Sequence, residues 1–326
     1  MKIILNYNYL HPYTTGHYIK KVFDSNKSNY ILKMHNQLNN KECEQFDLLL
    51  TIDDGGHTIL PSFNITKAIW IIDTHVSFNY DILILLDYDF IFCAQQEVIN
   101  KLESYGFKNV YWLPLACDPD IHSCTSFIEK KYSVGFVGNS GTQDRENLLQ
   151  KLRDKYLDSY IGKAKLEEMA CIYASSQVAF NKSIKNDLNM RFFEAVCSGT
   201  PLVTDFLPDI EDLELGKYVT YYKCDEEIDN AINSVFFDID RKKKLALKGK
   251  IAVMQNHSYS SRIKQLFNII QNNSKIEHNL KFPFNFLQKL KIIRKMFLNR
   301  YLNLVILYIV DPHFFKLIII KKFRKG

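Results

Sequence analysis

Short apolar runs alternate with helical stretches in the first half of the chain, and few folds are compatible with this pattern. Strand-like runs occupy residues 3–6, 48–52, 68–72 and 90–94, and helices are predicted near 17–23 and 96–105. Such alternation favours a parallel sheet covered by helices, in which ligands bind at the carboxyl ends of the strands. The pattern returns from Tyr132 onward. We therefore predict an α/β chain with two doubly wound, Rossmann-like domains.

The chain length allows two domains and a tail. At 326 residues with 47% hydrophobic content it can bury two cores. We predict an N-terminal domain over residues 1–122, a second domain over 123–275 and a tail over 276–326. The seven cysteines are scattered without Cys-x-x-Cys spacing, so neither a disulfide framework nor a zinc site is indicated. The first residues look like a strand rather than a signal peptide, and a reducing cytoplasm is expected.

The tail carries the positive charge. Residues 281–326 hold eleven Lys or Arg and one acidic residue, whereas the rest of the chain is net acidic, which gives no reason to expect nucleic acid. Apolar positions 286, 290, 293, 297, 301 and 304 predict a basic amphipathic helix. No apolar run approaches the roughly 20 residues that span a bilayer. We expect residues 284–325 to lie on the anionic inner face of a membrane; a dimerisation or domain-packing helix pair is the alternative.

Polar loops follow three strand-like runs of the first domain. They cover residues 11–17, 53–57 and 73–75. Glycine lets backbone approach a ligand, and histidine at a strand end can do acid–base chemistry. Ordinary turn glycines and structural histidines are the alternative. The candidate acceptor or cleft residues are Gly16, His17, Gly55, Gly56 and His57.

The pattern of residues 189–205 predicts a helix, a tight turn and a buried strand. Phe192, Phe193, Val196 and Cys197 recur at helical spacing, and Gly199 with Pro201 ends the helix. Arg191 and Glu194 lie three residues apart and can act on one ligand. An arginine at a helix start suits phosphate groups, and a carboxylate suits ribose hydroxyls. The alternative is an Arg–Glu pair on the surface of an ordinary core helix.

A second anion-binding point is predicted where the second domain begins. A strand over residues 132–139 ends at Gly138 and Asn139, and a helix follows from about Asp144 with Arg145 in its first turn. A solvated helix start is the alternative. Asp-x-Asp patterns at residues 87–89, 118–120 and 238–240 are too common to indicate a metal site, so no metal is expected.

The chain contains the run Asn189-x-Arg-x-x-Glu, followed by Ser-Gly-Thr-Pro-Leu-Val-Thr-Asp at 198–205. These residues resemble the C-terminal signature of GT-B glycosyltransferases. They are most similar to the CgeB-type spore-maturation group, related to the group-1 transferases. The resemblance implies that Glu194 holds the ribose of a nucleotide-sugar donor and that Arg191 and Arg145 hold its diphosphate. The remaining donor-site residues would be Asn189, Gly138, Asn139 and Gly199.

The segment at 69–75 also resembles GT-B enzymes, in which a histidine at this strand end faces the donor sugar, and this implies a catalytic His75. Where larger relatives carry a first glutamate, eight residues before Glu194, this chain has Asn186. The resemblance implies a metal-independent, hexosyltransferase-like activity without a cofactor. The composition of the tail alone suggests a membrane-associated acceptor, and with it a role in cell-surface polysaccharide or lipid-linked saccharide synthesis. The alternatives are a nucleotide-sugar epimerase and a non-catalytic binding or coat-type protein. Every enzymatic interpretation requires that the Glu194 carboxylate neither turn away from the groove expected between the domains nor be locked in a packed core.

Overall fold

A computed structural model of the protein describes residues 1–11, 14–53, 60, 63–124 and 128–279, with the backbone alone for residues 75–77, 79, 80 and 83. By its internal contacts the chain divides into two units. The first unit holds the described residues of Met1–Pro114 and of 266–279, and the second holds those of Leu115–Gln265. This division lies at slightly earlier residues than the boundaries predicted after 122 and 275.

The first unit is built on a six-stranded sheet in the order β2-β1-β3-β4-β5-β6, in which every strand pair is parallel. Its strands are β1 (Ile3–Asn6), β2 (Tyr30–Lys33), β3 (Leu48–Ile52), β4 (Thr66–Ile71), β5 (Phe90–Cys93) and β6 (Val110–Trp112). Its helices are α1 (Thr15–Ser25), α2 (Asn40–Cys43), α3 (Thr74–Leu85) and α4 (Gln96–Ser104).

Three inner strands of this sheet are buried along their whole length. Every residue of β1, β3 and β5 is buried, which is why these strands read as continuous apolar runs rather than alternating ones. In register, Ile4 lies opposite Leu49 and Leu5 opposite Leu50. The predicted parallel sheet of the first domain is therefore confirmed.

The second unit contains a five-stranded parallel sheet in the order β11-β10-β9-β7-β8. Its strands are β7 (Tyr132–Val137), β8 (Tyr160–Gly162), β9 (Ser176–Phe180), β10 (Leu202–Asp205) and β11 (Thr220–Tyr222). The helices that begin in it are α5 (Pro119–His122), α6 (Gln143–Lys155), α7 (Leu166–Ser175), α8 (Met190–Ser198), α9 (Pro208–Asp212), α10 (Ile228–Phe237), α11 (Ile239–Asn256) and α12 (Tyr259–Asn272). The chain leaves β7 towards β8 on one side and returns to β9 on the other. The order of the sheet therefore reverses between β7 and β9, where doubly wound sheets bind ligands.

The predicted helix–turn–strand of residues 189–205 is confirmed. Helix α8 ends at Ser198, and Gly199 follows in the left-handed conformation with φ +78°, which glycine adopts without strain. Phe192, Phe193 and Cys197 are fully buried. The core of the second unit includes Phe136, Phe180 and Val203 from the neighbouring strands β7, β9 and β10.

The described chain ends just after α12. There His278 Nδ1 accepts a hydrogen bond from the Lys108 amide at 3.1 Å, so the chain stays on the first unit up to that residue. None of the helices within the described ranges has both the length and the apolar character needed to cross a bilayer. The predicted amphipathic helix of the tail lies outside the described residues.

Candidate functional site

Arg191 spans the point of the second unit where the sheet order reverses. Its Nε donates to the carbonyl oxygen of Val137, the last residue of β7, at 2.5 Å. Its Nη1 donates to Oδ1 of Asn181, which directly follows β9, at 3.4 Å. The guanidinium group is thus fixed at the carboxyl ends of the two strands that flank the expected ligand position.

Gly138 makes room for this arginine. Its φ is +154°, and a Cβ at this position would lie 2.2 Å from Arg191 Nη2, so any side chain would displace the guanidinium group. The sequence predicts that Gly138 belongs to the donor site, where a ligand would approach its backbone. In the structure it is the Arg191 side chain that closely approaches this glycine.

Two guanidinium groups lie against the ring of Phe136. Arg191 Cζ is 4.8 Å and Arg145 Cζ is 5.0 Å from the ring centroid, within the range of favourable cation–π contact. Because both cations lie against one ring, they form a concentrated positive charge. Helix starts and cationic clusters of this kind are typical binding places for anions.

Arg145 is a buried cation rather than part of a solvated helix start, and only 4% of the residue is exposed. Thr142 Oγ1 caps α6 by accepting from the Arg145 amide at 3.3 Å, so this amide is not free for a ligand. Among the described residues, neither Nε nor Nη2 of Arg145 has a hydrogen-bond partner. Burial and the nearby Arg191 lower the pKa of Arg145 to about 10, which leaves it charged at neutral pH. A buried cation with unsatisfied nitrogen atoms is costly, and a bound anion would remove that cost.

Glu194 is near enough to Arg191 to feel its charge and is 6% exposed, which excludes the alternative of an Arg–Glu pair on the surface. Burial raises the pKa of Glu194 to about 7, against the opposing effect of Arg191. His122 Nε2 lies 3.7 Å from Glu194 Oε1. The carboxyl group is therefore mostly enclosed, but it has polar and charged neighbours and is not surrounded by apolar core alone.

His122 was not singled out from the sequence. It ends the short helix α5, where its Nδ1 accepts the Asp118 amide at 3.0 Å. Since Nδ1 accepts, the neutral ring carries its proton on Nε2, the nitrogen nearest Glu194. Asp118 itself caps α5 by accepting from the Asp120 amide at 3.0 Å, a structural role for one of the discounted Asp-x-Asp patterns.

The other residues assigned to the donor site are placed differently. Asn189 precedes α8, and its Oδ1 is buried without a hydrogen-bond partner among the described residues. Asn139 is exposed. Gly199 lies at the far end of α8 from Asn189, where it ends the helix, so it is not brought to the cluster. Asn186 is exposed with φ +57°, a backbone conformation that asparagine tolerates better than glutamate does.

The candidates of the first unit are only partly described. Gly16 is buried, and a Cβ there would lie 2.4 Å from the Tyr7 ring, so packing of α1 explains this glycine. His17 is half-buried and meets the Tyr18 ring edge-on. His75 is the second residue of α3, but its side chain lies outside the description. Residues 55–57, which include the predicted Gly55, Gly56 and His57, lie outside the described residues.

Comparisons with known proteins agree with this architecture. A family model described as glycosyl transferase-like matches residues 131–268, less than half of the chain and almost all within the second unit. No curated protein sequence matches the chain.

Solved structures of similar fold include HepE from Anabaena in complex with UDP and glucose, with a TM-score of 0.61 and 11% identity over 84% of this chain and 100% of that one. Sucrose-phosphate synthase from Thermosynechococcus elongatus has a TM-score of 0.58 and 11% identity over 84% and 100%. A DNA-modifying β-glucosyltransferase, studied with its substrate uridine diphosphoglucose, has a TM-score of 0.52 and 12% identity over 83% and 100%. At these identities the likeness establishes the fold. The chain has two parallel-sheet, Rossmann-like domains, as GT-B glycosyltransferases do.

Proposed function

We propose that the protein is a glycosyltransferase that moves a sugar from a nucleotide-sugar donor to an acceptor hydroxyl group. The observation that carries the proposal is the cluster at the β7–β9 reversal in the second unit. It combines two guanidinium groups with a buried carboxyl group, and two nitrogen atoms of Arg145 have no partner among the described residues. A nucleoside diphosphate offers the two complementary groups, an anionic bridge and ribose hydroxyls.

The cations would act on the leaving group. During transfer the bond between the sugar's anomeric carbon and the diphosphate oxygen breaks, and the acceptor oxygen bonds to that carbon. The departing nucleoside diphosphate gains negative charge, which Arg145 and Arg191 are placed to stabilise without reorganising. Among the described residues no group of three or more His, Cys, Asp and Glu could hold a metal ion; metal independence is part of the proposal.

Glu194 would accept hydrogen bonds from the ribose. Such bonds favour the ionised carboxylate, whereas burial alone opposes it and raises its pKa to about 7. Binding of the nucleotide and ionisation of Glu194 should therefore be coupled. His122 would hold the carboxyl group in place from the side of α5.

The first unit is the proposed acceptor domain. His75 follows β4 by a few residues, and in this proposal it contacts the sugar or removes the acceptor proton. A membrane-bound acceptor, such as a lipid-linked glycan, and a peripheral position on the inner face of the membrane are proposed from the basic, apolar tail alone. The narrower kinship with the CgeB-type group remains a prediction from residues 185–205.

A thermal-shift panel of UDP-, GDP- and ADP-sugars tests donor binding. UDP-sugars come first, because the structures of HepE and of the β-glucosyltransferase were determined with UDP and uridine diphosphoglucose. Wild-type protein should be stabilised by one donor class, and Glu194→Gln should respond much less. No shift with any donor, or equal shifts in both proteins, would contradict the proposal.

Product analysis then separates the rival activities. A transferase releases nucleoside diphosphate as the sugar moves to an acceptor or to water. An epimerase changes the sugar while it stays on the nucleotide. A non-catalytic protein, the alternative raised by Asn186, gives no turnover even where the donor binds.

A further inference from the structure

Four apolar side chains protrude from the second unit at the end of the sheet opposite the candidate site. Leu157 is 90% exposed and Phe237 94%, and Leu247 and Ile251 on α11 are 54% and 56% exposed. A large apolar side chain that is almost wholly exposed is costly in water, and several together mark an interaction surface.

Leu157, Phe237 and Leu247 lie towards the amino edge of the sheet, and Ile251 shares the exposed face of α11 with Leu247. Leu157 precedes β8, and Phe237 ends α10, a helix that returns from the carboxyl edge after β11. The rings of Tyr156 and Phe236 are 6.3 Å apart, which brings these two chain positions together. Leu247 lies beside Gly199, just before β10. Arg191 and Arg145 meet Phe136 near the carboxyl edge instead.

Helix α11 adds positive charge to this edge. Its 18 residues include one arginine, five lysines and a single acidic residue, Asp240. Ala246, Gly249 and Val253 form its buried side.

Lys243, Lys244 and Lys248 are exposed and make no ion pair with any described residue. Spacing of three and four residues places Lys244, Leu247, Lys248 and Ile251 on one exposed face.

We propose that this amino-edge surface, formed by Leu157, Phe237 and the exposed face of α11, docks on an anionic lipid membrane. Phe237 and Leu157 would enter the boundary between head groups and acyl chains, and the lysines would bind anionic head groups while their stems cover apolar surface. Contact through the amino edge leaves the carboxyl edge, with the proposed donor site, open to solutes.

Charge and shape favour lipid over the other occupants. The basic tail and a second copy of α11 carry the same sign of charge as this surface and would be repelled. An acidic protein partner would be matched in charge, but Phe237 and Leu157 stand out into solvent, a shape suited to insertion into a fluid interface. The surface lies in a part of the chain separate from the tail, so the inference does not rest on the tail or on donor binding.

Depth-dependent fluorescence quenching tests the inference in the full chain. Phe237→Trp is mixed with phosphatidylcholine vesicles containing about 30% phosphatidylglycerol and brominated acyl chains. The buried Trp70 and the partly buried Trp112 of wild-type protein give the background. Phe206→Trp is the matched control, because Phe206 is an exposed aromatic residue of the same unit that follows β10 at the carboxyl edge.

On vesicle binding, the fluorescence of Phe237→Trp should fall at least about twice as much as that of Phe206→Trp. Replacing Lys243, Lys244 and Lys248 with serine should weaken vesicle binding about tenfold or more. Vesicle binding without extra quenching at position 237 would mean that another segment, such as the tail, makes the contact, and would overturn the inference. Absence of vesicle binding, or binding to polyglutamate only, would also overturn it. Donor binding measured on the same variants stays unchanged in either case.

Discussion

His122 Nε2 lies 3.7 Å from Glu194 Oε1, and the His122 ring is held by the Asp118 amide on its other nitrogen. Both side chains are almost fully enclosed. A fixed N–H is therefore presented to a carboxyl group whose pKa is about 7. Through His122, helix α5 therefore contributes a side chain to the candidate site.

Replacing His122 with phenylalanine should raise the pKa of Glu194 further, because the carboxylate loses a polar neighbour and keeps its burial. Because nucleotide binding needs the ionised carboxylate, the pH at which the nucleotide affinity is half-maximal should be higher in this variant than in wild type. Titrations between pH 5.5 and 8.5 measure this. A uniform loss of affinity at all pH values would indicate a packing role only, and His122→Gln, which keeps an N–H, should restore part of the wild-type profile.

Arg145→Met should reduce the affinity for a nucleoside diphosphate about tenfold to hundredfold, the usual effect of losing hydrogen bonds to a charged group. The variant without ligand should be as stable as wild type or more stable, because a buried cation with unpartnered nitrogens has been removed. Calorimetric titration and thermal unfolding measure the two effects.

Arg153→Met is the control for this prediction. Arg153 lies on the same helix, is partly exposed and pairs with Glu146 at 3.0 Å, so its loss should leave nucleotide affinity unchanged. Equal effects of the two substitutions would show that the positive charge of α6 acts at long range and that Arg145 has no special position.

Gly138→Ala should impair both stability and binding. The new Cβ would lie 2.2 Å from Arg191 Nη2 at a backbone φ of +154°, which costs about 1–3 kcal/mol and displaces the guanidinium group. Gly162→Ala is the matched control, since a Cβ there would come no nearer than 3.4 Å to a neighbour. Chemical denaturation and nucleotide titration of both variants are the measurements, and a fully active, stable Gly138→Ala would contradict the geometry.

Glu194 should make the ligand-free protein less stable as the pH rises. The pKa of its carboxyl group is about 7 when folded and near its ordinary value of 4.5 when unfolded. The stabilising contribution is thus complete below about pH 4.5 and is lost as the pH rises through 7, by about 3 kcal/mol at most. Wild type should lose stability across this window relative to Glu194→Gln in urea denaturation. Parallel pH profiles of the two proteins would show that folding does not raise the pKa of this carboxyl group.

The central strands were predictable because they are buried on both faces and therefore appear as unbroken apolar runs, as in β1 and β3. Helix α3 was missed for a related reason. Its Asp81, Ile82, Ile84 and Leu85 are all buried, so buried residues occur on more than one side and no amphipathic period is visible. Short β2, whose residues are all half-buried, also gave no clear signal.

The site was predictable only where local sequence determines it. Arg145 was found because strand, glycine and helix start follow one another in the chain. Its burial, and that of Glu194, depend on packing against other elements, so the sequence left open a solvated helix start for Arg145 and a surface Arg–Glu pair for Glu194. His122 meets Glu194 across a long stretch of chain, and no local pattern announces such a contact. An isolated histidine after an Asp-Pro-Asp turn was the one available signal.

The most direct measurement compares a nucleoside diphosphate with its 2′,3′-dideoxy counterpart on wild-type protein and Glu194→Gln, with the base chosen from the thermal-shift panel. If Glu194 accepts from the ribose, removing the hydroxyls should weaken binding to wild type about tenfold or more and binding to the variant hardly at all. Equal losses in both proteins, or no loss in wild type, would show that this carboxyl group does not hold the ribose.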